Sequence, residues 1–392
     1  MINNEQNIKN QLLCELLQSI RVVKARERLL QNLSDYGVEW NEELQKLEVE
    51  DLRFTQKKLS LITNQSGKQY EKKVKEYFAQ PTEINLNNVE PYLVEVQESN
   101  ITNKIWAYCL SFWSVPVSAG YGRRIRYLVF DKQNNKVIGL FGLCDPLIGF
   151  NIRDEYIGWN REQKHERLYN CLTAYILGAV PPYNTVLGSK LVALATMFPE
   201  VRETFKRKYE GKTTIIAGKQ KMPILAMIDT FGAFEKSAIY TRLLNWQFLG
   251  YTQGKSHIHI TANGSWELIK EFVPQERFAS YKYGQGSNWK LRTLRVGLSN
   301  LGFPNEDILS IGWKRAYYMN PLLKNWKEFL TMQTDTPEFI DYSNNDLTAY
   351  WKERWLIPRQ DRLLEKLNNL ECEQIKNGRQ HCIGKSGGEV LI

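Results

Sequence analysis

Apolar residues recur at helical spacing through two stretches near the N-terminus. In residues 11–33 the apolar positions include Leu16, Val23 and Leu30, with Arg and Lys between them, and residues 51–78 repeat the pattern with many Lys and Glu. Such periodicity predicts amphipathic helices. Pro81 pushes the residue before it out of the helical region and so ends the second stretch. The pattern predicts a helical N-terminal cap over residues 1–80, which either covers the next domain or forms an interaction module of its own.

The pattern changes to that of strands after Pro91. Short runs rich in β-branched and aromatic residues, separated by Gly, Asn and Pro, occupy residues 92–96, 105–111, 124–131 and 136–143. Such runs are typical of strands. Asn134 and Asn135 stand between the last two runs, where they favour a hairpin turn. The four runs predict a meander of antiparallel strands.

Helices and strands then alternate along the chain. The predicted helices are 161–169, 187–198 and 234–244, and the predicted strands are 171–180, 224–229 and 246–252. Strands followed by helix–strand units indicate an α+β fold. We therefore predict an α+β core over residues 81–255, followed by a basic, aromatic C-terminal extension of mixed structure over residues 256–392. The clearest helix of the extension is predicted at 288–301.

Composition and charge narrow the class of protein. The 392 residues are 43% hydrophobic and include 11 Trp, 20 Tyr and 16 Phe, which excludes a mainly disordered chain. The 52 Lys and Arg exceed the 43 Asp and Glu by 9, an excess that favours polyanionic partners. The six cysteines form no CxxC pair, which argues against a disulfide framework or a zinc ribbon.

The sequence predicts a cytoplasmic protein that does not enter a membrane. Residues 1–10 are polar and amidic, unlike a signal peptide. The apolar stretch 172–180 ends at Pro181, well short of the roughly 20 residues that cross a bilayer. Scattered cysteines also fit a reducing cytosol.

Three groups of basic residues are candidates for nucleic-acid binding. They are Arg124 and Arg126, which share one face of a predicted strand; Lys206, Arg207 and Lys208; and Lys290, Arg292 and Arg295, which lie on the predicted helix 288–301. Basic side chains interspersed with aromatic ones suit a phosphate backbone and unpaired bases. Each group alone is more often a solvated surface, so the interpretation depends on several groups acting together.

Residues 173–191 suggest a different function. A predicted strand runs into Pro181 and Pro182, and a polar loop then leads into a helix that begins near Asn184 and Thr185 or near Gly188 and Ser189. Backbone N–H groups at such a helix start can hold phosphate. This order, with the predicted helix, turn and strand at 238–254, resembles the acyl-coenzyme A site of GNAT-type N-acyltransferases. Under this alternative, acyl-coenzyme A is the cofactor and those four residues bind it. The simpler alternative is an ordinary strand, loop and helix packed in a core.

No pattern identifies catalytic or metal-binding residues. His257 and His259 alternate on a possible strand, but the sequence shows no third ligand and no His or Cys cluster, so no metal site is expected. Acidic residues near predicted strand ends, such as Asp145, Asp154 and Asp229, suit acid–base chemistry and structural caps equally well. There is no G-x-S-x-G motif. Whether the protein is an enzyme stays open, and the cofactor is otherwise unknown.

Several segments occur together in one order. They are SFWSVPVSAGYGRRIRYLVFD at 111–131, IGLFGLCDP at 138–146, YIGWN at 156–160, LGAVPPY at 177–183, LGSKLVAL at 187–194, WKLRTLR at 289–295 and KRAYYMNPL at 314–322. Together they resemble the DruA family, the first component of Druantia, a multi-gene bacterial anti-phage defence system. The resemblance covers about residues 90–330 and implies an antiviral role beside other Druantia proteins, including a helicase-like component. The leading hypothesis is a nucleic-acid-engaging subunit of that system, and the alternative is a GNAT-like acyltransferase.

Overall fold

The strands and helices of the chain form an α+β fold. The structure is a computed structural model, which describes residues 2–118, 120–214, 218–253, 256–280, 289–303 and 306–377. In these ranges the strands are β1 Val38–Asn41, β2 Lys46–Val49, β3 Pro91–Glu95, β4 Arg124–Asp131, β5 Lys136–Cys144, β6 Cys171–Ala179, β7 Met227–Phe231, β8 Gln247–Tyr251 and β9 Ala316–Pro321.

Helices precede, separate and follow these strands along the chain. The α-helices are α1 Ile2–Ser34, α2 Leu52–Thr63, α3 Glu71–Val74, α4 Ile101–Leu110, α5 Asn151–Ile157, α6 Arg161–Arg167, α7 Gly188–Ala195, α8 Pro199–Tyr209, α9 Ile258–Thr261, α10 Ser265–Lys270, α11 Gln275–Ser280, α12 Trp289–Asn300, α13 Trp326–Leu330, α14 Asn344–Trp351 and α15 Gln360–Asn377. Short 3₁₀ turns lie at Gln65–Tyr70, Lys75–Tyr77, Pro81–Glu83, Leu86–Asn88, Leu168–Asn170, Tyr183–Val186, Glu306–Leu309 and Ile357–Arg359, and a π-helical turn lies at Lys352–Leu356.

The chain divides into two compact units, each made of two separate stretches. Unit 1 comprises residues 1–63 and 253–314, and unit 2 comprises residues 64–252 and 315–392. The boundaries predicted at residues 80 and 255 separate contiguous segments, whereas this division is discontinuous. Changes of local composition along the chain cannot show that a later segment returns to an earlier one.

Unit 1 packs the long helix α1 and the antiparallel β1–β2 hairpin against the helices of its second stretch. Arg26 on α1 donates a hydrogen bond of 2.8 Å to the carbonyl of Gly302, and its guanidinium lies 4.3 Å from the Phe303 ring centroid. The Tyr36 hydroxyl donates to the carbonyl of His259 at 3.2 Å. Contacts between residues more than 200 positions apart therefore hold unit 1 together.

Unit 2 is organised around a seven-stranded mixed sheet in the order β3-β4-β5-β6-β7-β9-β8. β6 and β7 run parallel, and the other neighbouring strands are antiparallel. The β6–β7 pairing ends at Ala174 and Thr230, so residues 176–179 of β6 pair only with β5, and Tyr175 lies at a shift in the β5–β6 register. Residues 253–314 are inserted between β8 and β9, where the Thr252 amide donates to the Arg315 carbonyl at 2.9 Å.

Apolar side chains cover both faces of this sheet because successive strand residues point to opposite sides. On β6, Leu172 and Ala174 belong to a large core cluster that includes α7 and residues of α8 and α14, whereas Cys171 belongs to a smaller cluster with Ile157 of α5 and Phe329 of α13. Sequence alternation therefore places a helical layer on each face of the sheet.

Several predicted elements have a different structure. Residues 105–111, predicted as a strand, belong mostly to α4, whose start is capped by the Asn100 side chain accepting from the Ile101 amide. Residues 234–244 form turns rather than the predicted helix. His257 and His259 do not alternate on a strand, because His259 lies in the short helix α9 and His257 precedes it. In each case local side-chain bonds or turns override β-branched or apolar composition.

Gly67 allows the 3₁₀ turn Gln65–Tyr70 to pack closely against α4. A Cβ atom at this position would lie 1.7 Å from the backbone oxygen of Ala107. We expect Gly67→Ala to lower the free energy of unfolding by about 2–3 kcal/mol, because the added methyl group must force the turn and helix apart. Urea denaturation measures the change. Gly149→Ala is the matched control, since a Cβ there meets no atom within 4 Å, and equal effects of the two variants would contradict the packing argument.

Candidate nucleic-acid interface

Side chains alternate between the two faces of β4, so the two arginines predicted to bind nucleic acid, Arg124 and Arg126, reach the same cavity in unit 2. The cavity measures about 610 Å³, within the range of about 300–1,000 Å³ that is usual for small-ligand sites. Arg124 and Arg126 line it from β4, and Lys208 reaches it from α8. The full lining is Glu95, Val96, Gln97, Glu98, Asn103, Trp106, Ala107, Leu110, Val117, Ser118, Arg124, Arg126, Tyr175 and Lys208.

The two arginines differ in how firmly they are held. Arg124 is exposed, and its guanidinium donates to the carbonyl of Gly120 at 3.1 Å. Arg126 is half-buried: it donates to the Asn103 side-chain oxygen at 3.0 Å and lies 5.6 Å from the Trp106 ring centroid. Arg124 is therefore free to turn toward a ligand, whereas Arg126 is fixed against α4.

Two aromatic side chains, Trp106 and Tyr175, also line this cavity. Trp106 on α4 is buried, and Tyr175 on β6 is half-buried. Burial raises the pKa of Tyr175 to about 12, although the nearby charges of Arg126 and Arg124 act to lower it. The tyrosine is thus a neutral hydroxyl at physiological pH and can donate or accept a hydrogen bond.

Glu95, at the end of β3, forms ion pairs with two of the basic residues predicted to bind nucleic acid, Arg207 and Lys208. Arg207 donates to one of its carboxylate oxygens at 2.6 Å, and Lys208 lies 2.5 Å from the other. Burial acts to raise the pKa of Glu95, but the bonds from Lys208 and Arg207 outweigh it and hold that pKa below its ordinary value. The carboxylate is therefore already neutralised by its own partners.

The remaining predicted basic residues lie elsewhere. Lys206 is exposed on α8 and is 3.9 Å from Glu210. Lys290, Arg292 and Arg295 lie on α12, which belongs to unit 1. Burial lowers the pKa of Lys290, whose ammonium lies 5.1 Å from the Trp266 ring centroid. Thus Arg124, Arg126 and Lys208 share one cavity, and the α12 residues form a separate group.

The residues predicted to hold acyl-coenzyme A do not line an open groove in the described structure. Gly188 and Ser189 are buried, and Asn184 and Thr185 are half-buried. The Ser189 hydroxyl accepts from the Ala179 amide at 3.0 Å. A Cβ atom at Gly188 would lie 2.6 Å from the backbone carbonyl oxygen of Tyr183. The helix start is filled by its own chain, so its geometry offers no support for a thioester site.

Lys190 closes the space beside this helix. Its ammonium donates to the carbonyls of Ala238 at 2.5 Å and Ile239 at 3.0 Å, and it lies 3.9 Å from the Trp355 ring centroid. Burial lowers the pKa of Lys190 to about 8. This lysine therefore holds residues 238–241 to α7.

Among the candidate carboxylates, Asp229 lies in a closed polar cluster. On β7 it accepts a hydrogen bond from Thr173 and one of 2.8 Å from the Tyr317 hydroxyl. Burial raises its pKa, against the opposing charge of Arg153. Asp229, Tyr317 and Arg153 are each at most 1% exposed, so this cluster has no route to a ligand in this conformation.

Neither metal ligands nor a membrane span are evident in the part of the chain that the structure describes. The ring nitrogen Nε2 of buried His259 pairs with the Ile308 carbonyl at 2.9 Å. No three His, Cys, Asp or Glu side chains among the described residues are grouped so as to hold a metal ion. Likewise, none of the described helices has the length and apolarity needed to cross a bilayer.

Sequence reasoning missed the residues that accompany the two arginines. Trp106 lies in the segment predicted as a strand, and Glu95 and Tyr175 were not singled out. The period of two that groups Arg124 with Arg126 applies within one strand. It cannot show which residues of β3, β6 and α4 lie beside that strand.

The fold and cavity define an α+β protein with a ligand-sized cavity that is lined by basic and aromatic residues. Residues 43–332 match the family model described as Druantia protein DruA. The chain is also 33% identical over 299 residues to Druantia protein DruA from Escherichia coli (strain UMEA 4076-1), covering 74% of each chain. The chain belongs to the DruA family and is thus a component of the Druantia anti-phage defence system. No solved structure matches it, and the predicted likeness to GNAT-type acyltransferases has no support from these comparisons.

Proposed function

We propose that this DruA-family protein engages nucleic acid within its defence system, and that the cavity around Arg124 and Arg126 holds an unpaired nucleotide. One observation carries the proposal: both arginines, Lys208 and two aromatic side chains line the same cavity. Family membership supports the defence role, and the cavity supports the class of ligand.

Stacking and charge suit different parts of a nucleotide. An aromatic ring or a guanidinium plane can stack on any base, at about 1–3 kcal/mol per base. The half-buried ring of Tyr175 and the guanidinium of Arg126 provide such planes, whereas Trp106 is buried and lies 5.6 Å from that guanidinium. The exposed guanidinium of Arg124 can form paired hydrogen bonds to a phosphate. A single strand fits this arrangement better than a duplex, whose bases are stacked on one another.

The carboxylates of the cavity do not outweigh its positive charge. Arg124, Arg126 and Lys208 line the cavity together with Glu95 and Glu98. Glu95 is neutralised by Arg207 and Lys208, so a phosphate beside Arg124 meets little repulsion from it. The net charge of the whole chain, +9, acts in the same direction.

The proposed partners follow from the family. We place the protein in the bacterial cytoplasm with other Druantia proteins, including a helicase-like component. A helicase separates strands, and separated strands present the unpaired bases that this cavity suits. An acyltransferase role is less favoured, because the helix start that would bind the thioester is filled by Ser189 and its neighbours.

Salt dependence of binding tests this function. Two phosphate contacts to a single strand, from Arg124 and Lys208, predict that log K falls with log salt at a slope of about −1.4, or about 7-fold between 50 and 200 mM. Arg124→Ala should reduce that slope by about 0.7, because one contact is lost. Fluorescence anisotropy with a labelled single-stranded oligonucleotide measures both values.

Arg161→Ala is the matched control for this experiment. Arg161 is an exposed arginine of the same unit on α6, outside the cavity lining, and its removal changes the net charge equally. We expect the slope of this variant to equal that of the unmodified protein. Absence of binding at low salt, or equal losses in the two variants, would contradict the proposed site.

A further inference from the structure

The first two-thirds of α1 carry an exposed apolar stripe. Its side chains are between 42% and 61% exposed, and they are Ile8, Leu12, Leu13, Leu16, Leu17, Ile20 and Val23. Soluble monomers rarely expose a contiguous apolar patch of more than a few hundred Å² unless it binds something. The stripe lies outside residues 43–332, the part of the chain that matches the family model.

The stripe is not a continuation of the face by which α1 packs into unit 1. Buried residues on the C-terminal part of the helix, Ala25, Leu29 and Leu33, define that packed face. At 3.6 residues per turn, the centre of the stripe is rotated by roughly 150° from it. The helix therefore has two apolar faces, of which one is buried in unit 1 and the other is exposed.

The arrangement of the stripe suits pairing with an identical helix. Leu13, Leu16, Ile20 and Val23 follow the alternating three- and four-residue spacing of a coiled-coil seam. Between residues 10 and 23 the half of the helix centred on the stripe carries no charged side chain, and Lys9 and Lys24 lie on that half at its two ends. A charged partner would find no counter-charge between these lysines, whereas a second copy meets an apolar surface of the same length.

The exposed area is sufficient for a dimer. Seven side chains that are each about half exposed present on the order of 600 Å² per chain, so a pair that covered all of it would bury at most on the order of 1,200 Å², the lower end of stable specific interfaces. Closed two-fold pairs, in which one patch contacts its own copy, are the commonest oligomers. We infer that the occupant of this stripe is the α1 helix of a second copy of the chain.

Sedimentation of the full chain tests this inference. The unmodified protein should sediment as a dimer at about 1–50 μM, since association depends on concentration. Leu16→Glu combined with Ile20→Glu should raise the dissociation constant at least about 100-fold, because it places carboxylates in an apolar seam. Both side chains are exposed in one chain, so the circular dichroism spectrum and melting temperature of the monomer should stay unchanged.

Leu44→Glu combined with Leu61→Glu is the control. These leucines are 57% and 52% exposed in the same unit but lie outside α1, so the charge change is equal and the dimer should persist. A monomeric unmodified chain throughout the concentration range would overturn the inference. So would a dimer that survives the Leu16 and Ile20 changes, or an association seen only after another protein of the defence system is added.

Discussion

Replacing Trp351 by alanine should lower the free energy of unfolding by about 3–5 kcal/mol, as is usual when a buried large aromatic side chain is removed. Trp351 on α14 is 1% exposed and belongs to the large core cluster of unit 2. Its indole N–H donates to the carbonyl of Leu187 at 3.1 Å, immediately before α7. The alanine would leave a cavity between these helices and remove the bond. Urea denaturation followed by circular dichroism measures the change.

Two further variants separate the causes of this loss. Trp351→Phe keeps an aromatic ring but removes the indole N–H, so we expect a loss of about 1–2 kcal/mol. Ile357→Ala changes a side chain that is 54% exposed in the same helical region and should alter stability by at most about 0.5 kcal/mol. A loss below about 1 kcal/mol for Trp351→Ala would mean that the helices after residue 332 are not part of the core.

Removing Arg124 and Arg126 together should abolish phage protection in cells that carry the complete defence system. This result follows from the proposed nucleic-acid site, because both guanidinium groups line it. Arg124→Ala alone should leave stability within about 0.5 kcal/mol, since this side chain is exposed. Arg126→Ala should cost about 1 kcal/mol through its bond to Asn103. Plaque counts and melting curves on the same variants separate loss of function from loss of fold.

The control in cells is again Arg161→Ala, for which we expect full protection. A double variant that melts close to the unmodified protein and yet gives plaques at the level of cells without the gene would support the site. Full protection with both arginines removed would show that the working surface lies elsewhere. The next surface to test would then be Lys290, Arg292 and Arg295 on α12.

Local patterns predicted much of the sheet of unit 2. The predicted strand 124–131 coincides with β4, and the predicted turn at Asn134 and Asn135 joins it to β5, with Asn135 at a positive φ of 56°. Both features depend on residues close in sequence. Alternating side chains and turn-forming asparagines act within a few positions, so they can be recognised without knowing the rest of the fold.

Elements that depend on distant partners were not predicted. β9, at Ala316–Pro321, has six buried residues and no alternation, because it lies between β7 and β8 with both faces covered. The segment 105–111 has the β-branched and aromatic composition of a strand, yet the Asn100 cap starts a helix there. Composition near such a segment does not determine its structure when capping or tertiary packing decides it.

The same limit applies to the candidate site. Strand periodicity grouped Arg124 with Arg126, and the structure places both in one cavity. The Glu95 bonds that hold Arg207 and Lys208 span more than 100 residues and follow from the sheet order rather than from any motif. No local pattern distinguishes Lys190 within the segment 187–194, although its ammonium holds residues 238 and 239 to α7.

The insertion of residues 253–314 between β8 and β9 determines the order in which a ribosome can complete the two units. Closing so long a connection costs little free energy, because the loop term grows only slowly with length. It does delay the sheet: at about 5–20 residues per second, roughly 60 residues take several seconds to synthesise. Until β9 emerges, the edge of β7 that it will pair with is open, and open edges invite pairing with other chains. Unit 1 has all its residues by Lys314, whereas the sheet still lacks β9, which lies between β7 and β8. Unit 1 can therefore finish folding before the sheet of unit 2 is complete.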